Sequence, residues 1–165
     1  MLREFRVNGA DAPAAYFVAD TALKTGMGVQ KDYGAGKAVL PTAATADGIF
    51  LVAKAPIATG IYAGTDQSDY FDEYNTVAEG DTVVLYSYRE DSAFGTDQFA
   101  DTLKTALTTD DASPIYVAVG TDGKWAAAAG TSKYLATGMY DDAGHELVHI
   151  EVIEAGSVAE ESSSQ

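Results

Sequence analysis

The residues best spaced for chemistry are His145-Glu146-Leu147-Val148-His149, which satisfy the pattern His-Glu-x-x-His. On a helix this spacing puts both imidazoles on one face, a turn apart, to bind Zn²⁺, with the Glu as general base for the attacking water. The flanks point elsewhere. Asp141-Asp142-Ala143-Gly144 is a turn signal directly in front of the first His, where such a helix needs another turn. Val148, Ile150, Val152 and Ile153 form a β-branched run that predicts a strand. On a strand the two His lie roughly 13 Å apart, at about 3.3 Å per residue, too far for one metal. The longer metzincin pattern also fails, because Val152 and Ala155 stand where Gly and His are required. A zinc metalloprotease acting through residues 145–149 is therefore the least favoured alternative, and no metal and no cofactor are expected.

Other candidate chemistry is weaker. Asp66, Asp69, Asp72 and Glu73 could gather oxygens around Ca²⁺, but they lack the order and the turn glycine of an EF-hand loop, so they read as a solvated acidic loop. Gly34-Ala35-Gly36-Lys37-Ala38 resembles part of a phosphate loop, yet Lys31 replaces its first Gly and Ala38 replaces the hydroxyl that holds Mg²⁺. No Gly-x-Ser-x-Gly occurs, and there is no Cys nucleophile because the chain has no Cys. The two His fall in one predicted strand with no Ser marked as a partner, so no catalytic residue is assigned and the chain is read as not an enzyme.

The elements that would position any site are mostly strands. Apolar runs of four to eight residues, rich in Val, Ile, Tyr and Thr, cover residues 15–19, 49–53, 57–62, 82–88, 115–119, 124–128, 133–140 and 147–153. Gly120-Thr121-Asp122-Gly123 and Asp141-Asp142-Ala143-Gly144 predict two hairpins, and with them an antiparallel meander over the last third of the chain. Residues 82–88 are apolar on both faces and read as a central strand. One helix is expected over 96–107, from the spacing of Phe99, Leu103, Ala106 and Leu107, with Thr96 as its cap. The fold class is mainly β: a single antiparallel β-sandwich or β-barrel domain over residues 21–154 with one short helix. It is flanked by extended arms, an N-terminal one over 1–20 and a polar tail over 155–165.

Composition sets the partners. The 165-residue chain carries 25 Asp and Glu against 10 Lys and Arg, a formal net charge of −15. That excludes a binder of nucleic-acid phosphates and disfavours an anionic membrane surface. No apolar stretch of about 18 residues occurs, and the alternating charges at the start carry no apolar core of a signal peptide. Tyrosine is frequent, with 10 residues, six aromatics falling between Tyr62 and Tyr88. Tyr supplies rigid contact area with a polar tip, which suits a protein interface or a sugar-stacking face. The contact candidates are Phe5 and Val7 in the N-terminal arm and Tyr62, Tyr70, Phe71 and Tyr74. Trp125 reads as a core residue.

The order of several segments resembles the small capsid decoration (cement) proteins of tailed bacteriophages. These segments are Gly26-Met27-Gly28-Val29, Val39-Leu40-Pro41 with Ala46-Asp47-Gly48-Ile49, Tyr74 through Tyr86, Thr96-Asp97-Gln98-Phe99, and Gly123-Lys124-Trp125 with the closing strand to Glu154. The resemblance covers residues 20–154 and rests on the order of strand and turn signals. It implies a non-enzymatic virion protein, assembled as a homotrimer, that sits on the outer surface of an icosahedral head and bridges the phage major capsid protein. A carbohydrate-binding surface module using the Tyr-rich stretch is the alternative. If the resemblance holds, the acidic charge faces solvent, and the contact surface is the least acidic part of the molecule.

Overall fold

The computed structural model describes residues 1–8, 14–53, 72–109 and 114–154, with backbone only at 14–16 and 72–73. The described chain is mainly β, as its sequence predicts. Its strands are β1 (Leu2–Arg6), β2 (Ala14–Ala19), β3 (Leu23–Lys24), β4 (Gly28–Asp32), β5 (Lys37–Val39), β6 (Phe50–Ala53), β7 (Thr76–Val77), β8 (Thr82–Tyr86), β9 (Ala93–Thr96), β10 (Ile115–Val119), β11 (Trp125–Ala127), β12 (Tyr134–Asp142) and β13 (His145–Val152). Two helices interrupt them, a single turn α1 (Asp72–Asn75) and α2 (Asp101–Leu107).

These strands build both a barrel and a sheet. β2, β5, β4, β6 and β8 close a small barrel in that order, with β2 and β5 parallel and the other pairs antiparallel. Alternation fills it: Phe17, Val29, Ala38, Val52, Val83 and Leu85 are all buried in its interior cluster. The strand predicted over 82–88 is β8, which pairs on both sides and buries Val83, Val84 and Leu85. A six-stranded sheet runs β1-β9-β13-β12-β10-β11, and β3 pairs with β7.

A second core joins the sheet to the barrel. Val148, Ile150 and Val152 from β13, Val117 and Val119 from β10, and Ile49 and Leu51 from the barrel side belong to one buried cluster around Trp125. Trp125 is fully buried, packs edge-on to Tyr134 at 4.8 Å, and donates its indole N–H to the Gly26 carbonyl at 3.1 Å. The approach is close enough to demand glycine. A Cβ at Gly28 would lie 2.3 Å from Val119 Cγ2, and one at Gly26, where φ is +88°, 2.2 Å from Thr96 Oγ1. The segment Gly26-Met27-Gly28 is therefore the seam along which the barrel lies against the sheet.

Several expectations change. Both predicted hairpins form, β10–β11 and β12–β13, with Ala143 and Gly144 at positive φ in the second turn. They do not make a meander, because β12 pairs with β10 rather than with β11. The helix begins at Asp101, not Thr96. Thr96 closes β9, and its buried hydroxyl donates to the Gly26 carbonyl and accepts from the Gln98 N–H. The predicted strand over 57–62 lies outside the described residues. Residues 2–6, expected within an arm, pair with β9 along the edge of the six-stranded sheet, so the surface that orders them is their own domain's.

Candidate functional site

The His-Glu-x-x-His segment is β-strand from His145 to Val152. Alternation sends Glu146, Val148, Ile150 and Val152 to one face and His145, Leu147, His149 and Glu151 to the other. Glu146 accepts a hydrogen bond from Lys104 on α2, while His149 Nδ1 lies 2.6 Å from Thr137 Oγ1 on the other face. Glu146 therefore points away from the two imidazoles, and the helical arrangement that would make it their general base is not formed. Among the described residues, no group of three or more His, Asp or Glu side chains is placed to hold a metal ion. Asp66 and Asp69 lie outside the described residues, and of Asp72 and Glu73 only the backbone is described.

The outer face of the six-stranded sheet carries an aromatic patch instead. Phe5 on β1 lies across Gly95 of β9, where a Cβ would come within 2.8 Å of the ring. Its ring meets Tyr140 of β12 edge-on at 5.2 Å and the His149 imidazole of β13 at 5.0 Å. Leu147, fully buried, lies beneath, its Cδ1 3.5 Å from the same point on Gly95. Phe5 is 40% exposed and Tyr140 45%, and Val7 just beyond β1 is 45% exposed. Three strands thus bring together Phe5, at the irregularity between Glu4 and Arg6, with Tyr140 and His149 from the paired β12 and β13. Of the five large apolar side chains exposed among the described residues, Phe5 and Tyr140 meet here.

Ion pairs flank this patch. Arg3 Nε donates to Asp142 at 2.7 Å, and Arg6 faces Glu151 at 3.9 Å and donates to the Asp91 carbonyl. Two Arg–carboxylate pairs thus flank the patch among the described residues, in a chain of net charge −15. Tyr88 donates its hydroxyl to Glu4 at 2.6 Å, which ties the other side of β1 down. The edge strand is therefore pinned by side chains as well as by its ladder.

Burial lowers the His149 pKa below the ordinary 6.5; the Glu151 carboxylate opposes the shift and the Arg6 guanidinium adds to it. Thr137 and Phe5 also touch the ring. A base whose folded pKa is depressed favours the unfolded chain once it must accept a proton, so its contribution to stability falls as pH drops below about 6.5. We expect the midpoint of urea unfolding of His149→Gln to lose less than that of the parent chain between pH 7.5 and pH 5. Parallel losses would show that His149 titrates as it does in the unfolded chain.

Phe5, a contact candidate from the sequence, lies in this patch, and Val7 is exposed just beyond β1. Tyr74 is not: half-buried, it lines a separate cleft of about 550 Å³ with Leu2, Asn75 and Tyr86. Tyr62, Tyr70 and Phe71 lie outside the described residues. Tyr140 is the residue that sequence reading missed as a site member, and His149 is weighed there only as a zinc ligand. Their signal was present only as polar-tipped aromatics alternating with apolar residues on the predicted strands. Comparison of the chain with protein-family models, with curated proteins and with solved structures finds no match.

Proposed function

We propose that this chain is a non-enzymatic capsid decoration protein, which binds the outer surface of an assembled tailed-phage head as a homotrimer and bridges the phage major capsid protein. The observation that carries the reading is the Phe5–Tyr140–His149 patch. It is an aromatic surface on a rigid sheet, flanked by two Arg–carboxylate pairs in an acidic chain, and such a surface suits the centre of a protein interface. The ordered run of segments from Gly26 to Glu154 supports it from the sequence side.

The mechanism is mass action. A surface that spans the junction between neighbouring capsid subunits exists only on the assembled shell, so every decoration contact stabilises that shell relative to its dissociated parts. Paired strands suit this role because little conformational freedom is left to lose on docking. The excess carboxylates, turned to solvent, keep particles from associating with one another. No nucleic acid or membrane takes part.

The test has two readings. Purified protein mixed with heads of the phage that encodes it, stripped of their decoration, should co-sediment and saturate, whereas unassembled capsid protein should not retain it. Light scattering of the free protein should give about three times its 17.2 kDa chain mass. Absence of co-sedimentation overturns the function, and a monomer mass overturns the trimer.

A further inference from the structure

Near one end of the five-stranded barrel a half-buried lysine lies among aromatic rings. Lys31 on β4 lies two residues from Val29 and pairs directly with Ala38, both of which face the interior, so its side chain rises from the same face at the end of the strand. Its ammonium sits 3.8 Å from the centre of the Phe50 ring, 5.3 Å from Phe17 and 6.0 Å from Tyr33. Among the described residues no carboxylate pairs with it, whereas Lys37 across the same turn is held by Asp20 at 2.7 Å.

The turn beyond Lys31 is fixed. Asp32 Oδ1 accepts from the backbone N–H groups of Gly34 and Ala35 at 2.9 and 3.0 Å, and Gly36 takes φ of +67°. Held on this turn, Tyr33 is 77% exposed, more than any other large apolar side chain among the described residues. It meets Phe17 edge-on at 5.8 Å, which orients its ring. Gln30 gives one amide hydrogen to the Asp47 carbonyl at 3.2 Å, and its own carbonyl oxygen has no partner among the described residues. Together Gln30, Lys31, Asp32, Tyr33 and Phe50 line an open depression of about 660 Å³.

We infer that this barrel mouth binds a neutral pyranose sugar. Barrel mouths are common ligand sites, and the depression has room for one or two sugar rings. An exposed, oriented Tyr offers a face for the C–H side of a pyranose. The Lys31 ammonium offers donors, and the second Asp32 oxygen and the Gln30 carbonyl offer acceptors, a set that suits neighbouring hydroxyls. Charge selects the class. An anionic sugar meets Asp32 at the rim of a chain of net charge −15, and a cationic one meets Lys31. The site shares no residue with the Phe5 patch, so it stands whether or not the capsid reading does.

The experiment is saturation-transfer NMR with calorimetry on the full chain. The probes are the methyl glycosides of glucose, galactose, mannose and N-acetylglucosamine, with glucuronate and glucosamine as charged controls. At least one neutral glycoside should bind in the millimolar range and be weakened about tenfold by Tyr33→Ala, the scale of one lost aromatic contact. Tyr140→Ala, on the other surface, should leave it unchanged, and the charged controls should bind more weakly. The inference is overturned if no neutral glycoside binds at 20 mM, on the order of the weakest affinity worth assigning to a site, if binding survives Tyr33→Ala, or if glucuronate binds equally well.

Discussion

Replacing Trp125 with Ala should destabilise the chain by about 3–5 kcal/mol, the range for removing a large, fully buried aromatic side chain. At this chain length that corresponds to roughly 10–15 °C in the melting midpoint. Trp125 lies at the seam between sheet and barrel. It packs against Tyr134 and Phe94, and its N–H satisfies the Gly26 carbonyl, so its removal leaves both a cavity and a weakened seam. Trp125→Phe should recover much of the packing but not the hydrogen bond, and fall between the two. Urea unfolding followed by circular dichroism measures this. A loss below about 1 kcal/mol for Trp125→Ala would mean that the two halves do not share the core described above.

The second large effect concerns binding. Phe5→Ala combined with Tyr140→Ala should weaken attachment to phage heads by more than about 100-fold, since two aromatic side chains at an interface centre commonly contribute about 2 kcal/mol each. The fold should survive, because both rings are substantially exposed. Point substitutions are the right probe. Deleting residues 1–14 would strip β1 from the sheet edge and with it the Arg3 and Arg6 contacts, so lost binding could not be separated from lost structure. Unfolding midpoints within a few degrees of the parent, with head binding unchanged in a co-sedimentation titration, would remove the patch from the interface.

Much of the fold was legible because strand chemistry is local. Val83, Val84 and Leu85 announce a doubly buried strand, and the Gly and Asp residues at 120–123 and 141–144 announce turns. What escaped reading was short or disguised. β9 is Ala-Phe-Gly-Thr, four residues with a glycine, and nothing in it predicts a strand flanked on both sides. Thr96 has the chemistry of a helix cap but spends its hydroxyl on the strand's exit and on Gly26. β4 hides its alternation because Lys31 occupies an interior-facing position, which is favourable only where three aromatic rings surround the ammonium. The topology of the last third could not follow from hairpins alone, since the choice of β10 over β11 as partner for β12 is a long-range one.

The site was legible only in part for the same reason. Phe5 and Val7 stand out as apolar residues in a polar stretch. Tyr140 and His149 join Phe5 only because β1, β9, β13 and β12 lie side by side, bringing together residues more than 130 positions apart. Among the described residues, Arg3 pairs with Asp142 and Arg6 faces Glu151 beside the patch.

The central claim is that this molecule sits on an assembled head with the Phe5–Tyr140–His149 face turned inward. Cryo-electron microscopy of decorated heads, with undecorated heads subtracted, tests it most directly. The account predicts threefold density over junctions between capsid subunits, with β1, β12 and β13 against the shell and the Tyr33 barrel mouth pointing to solvent. Difference maps without added density, or density in which the aromatic face is turned to solvent, would contradict it.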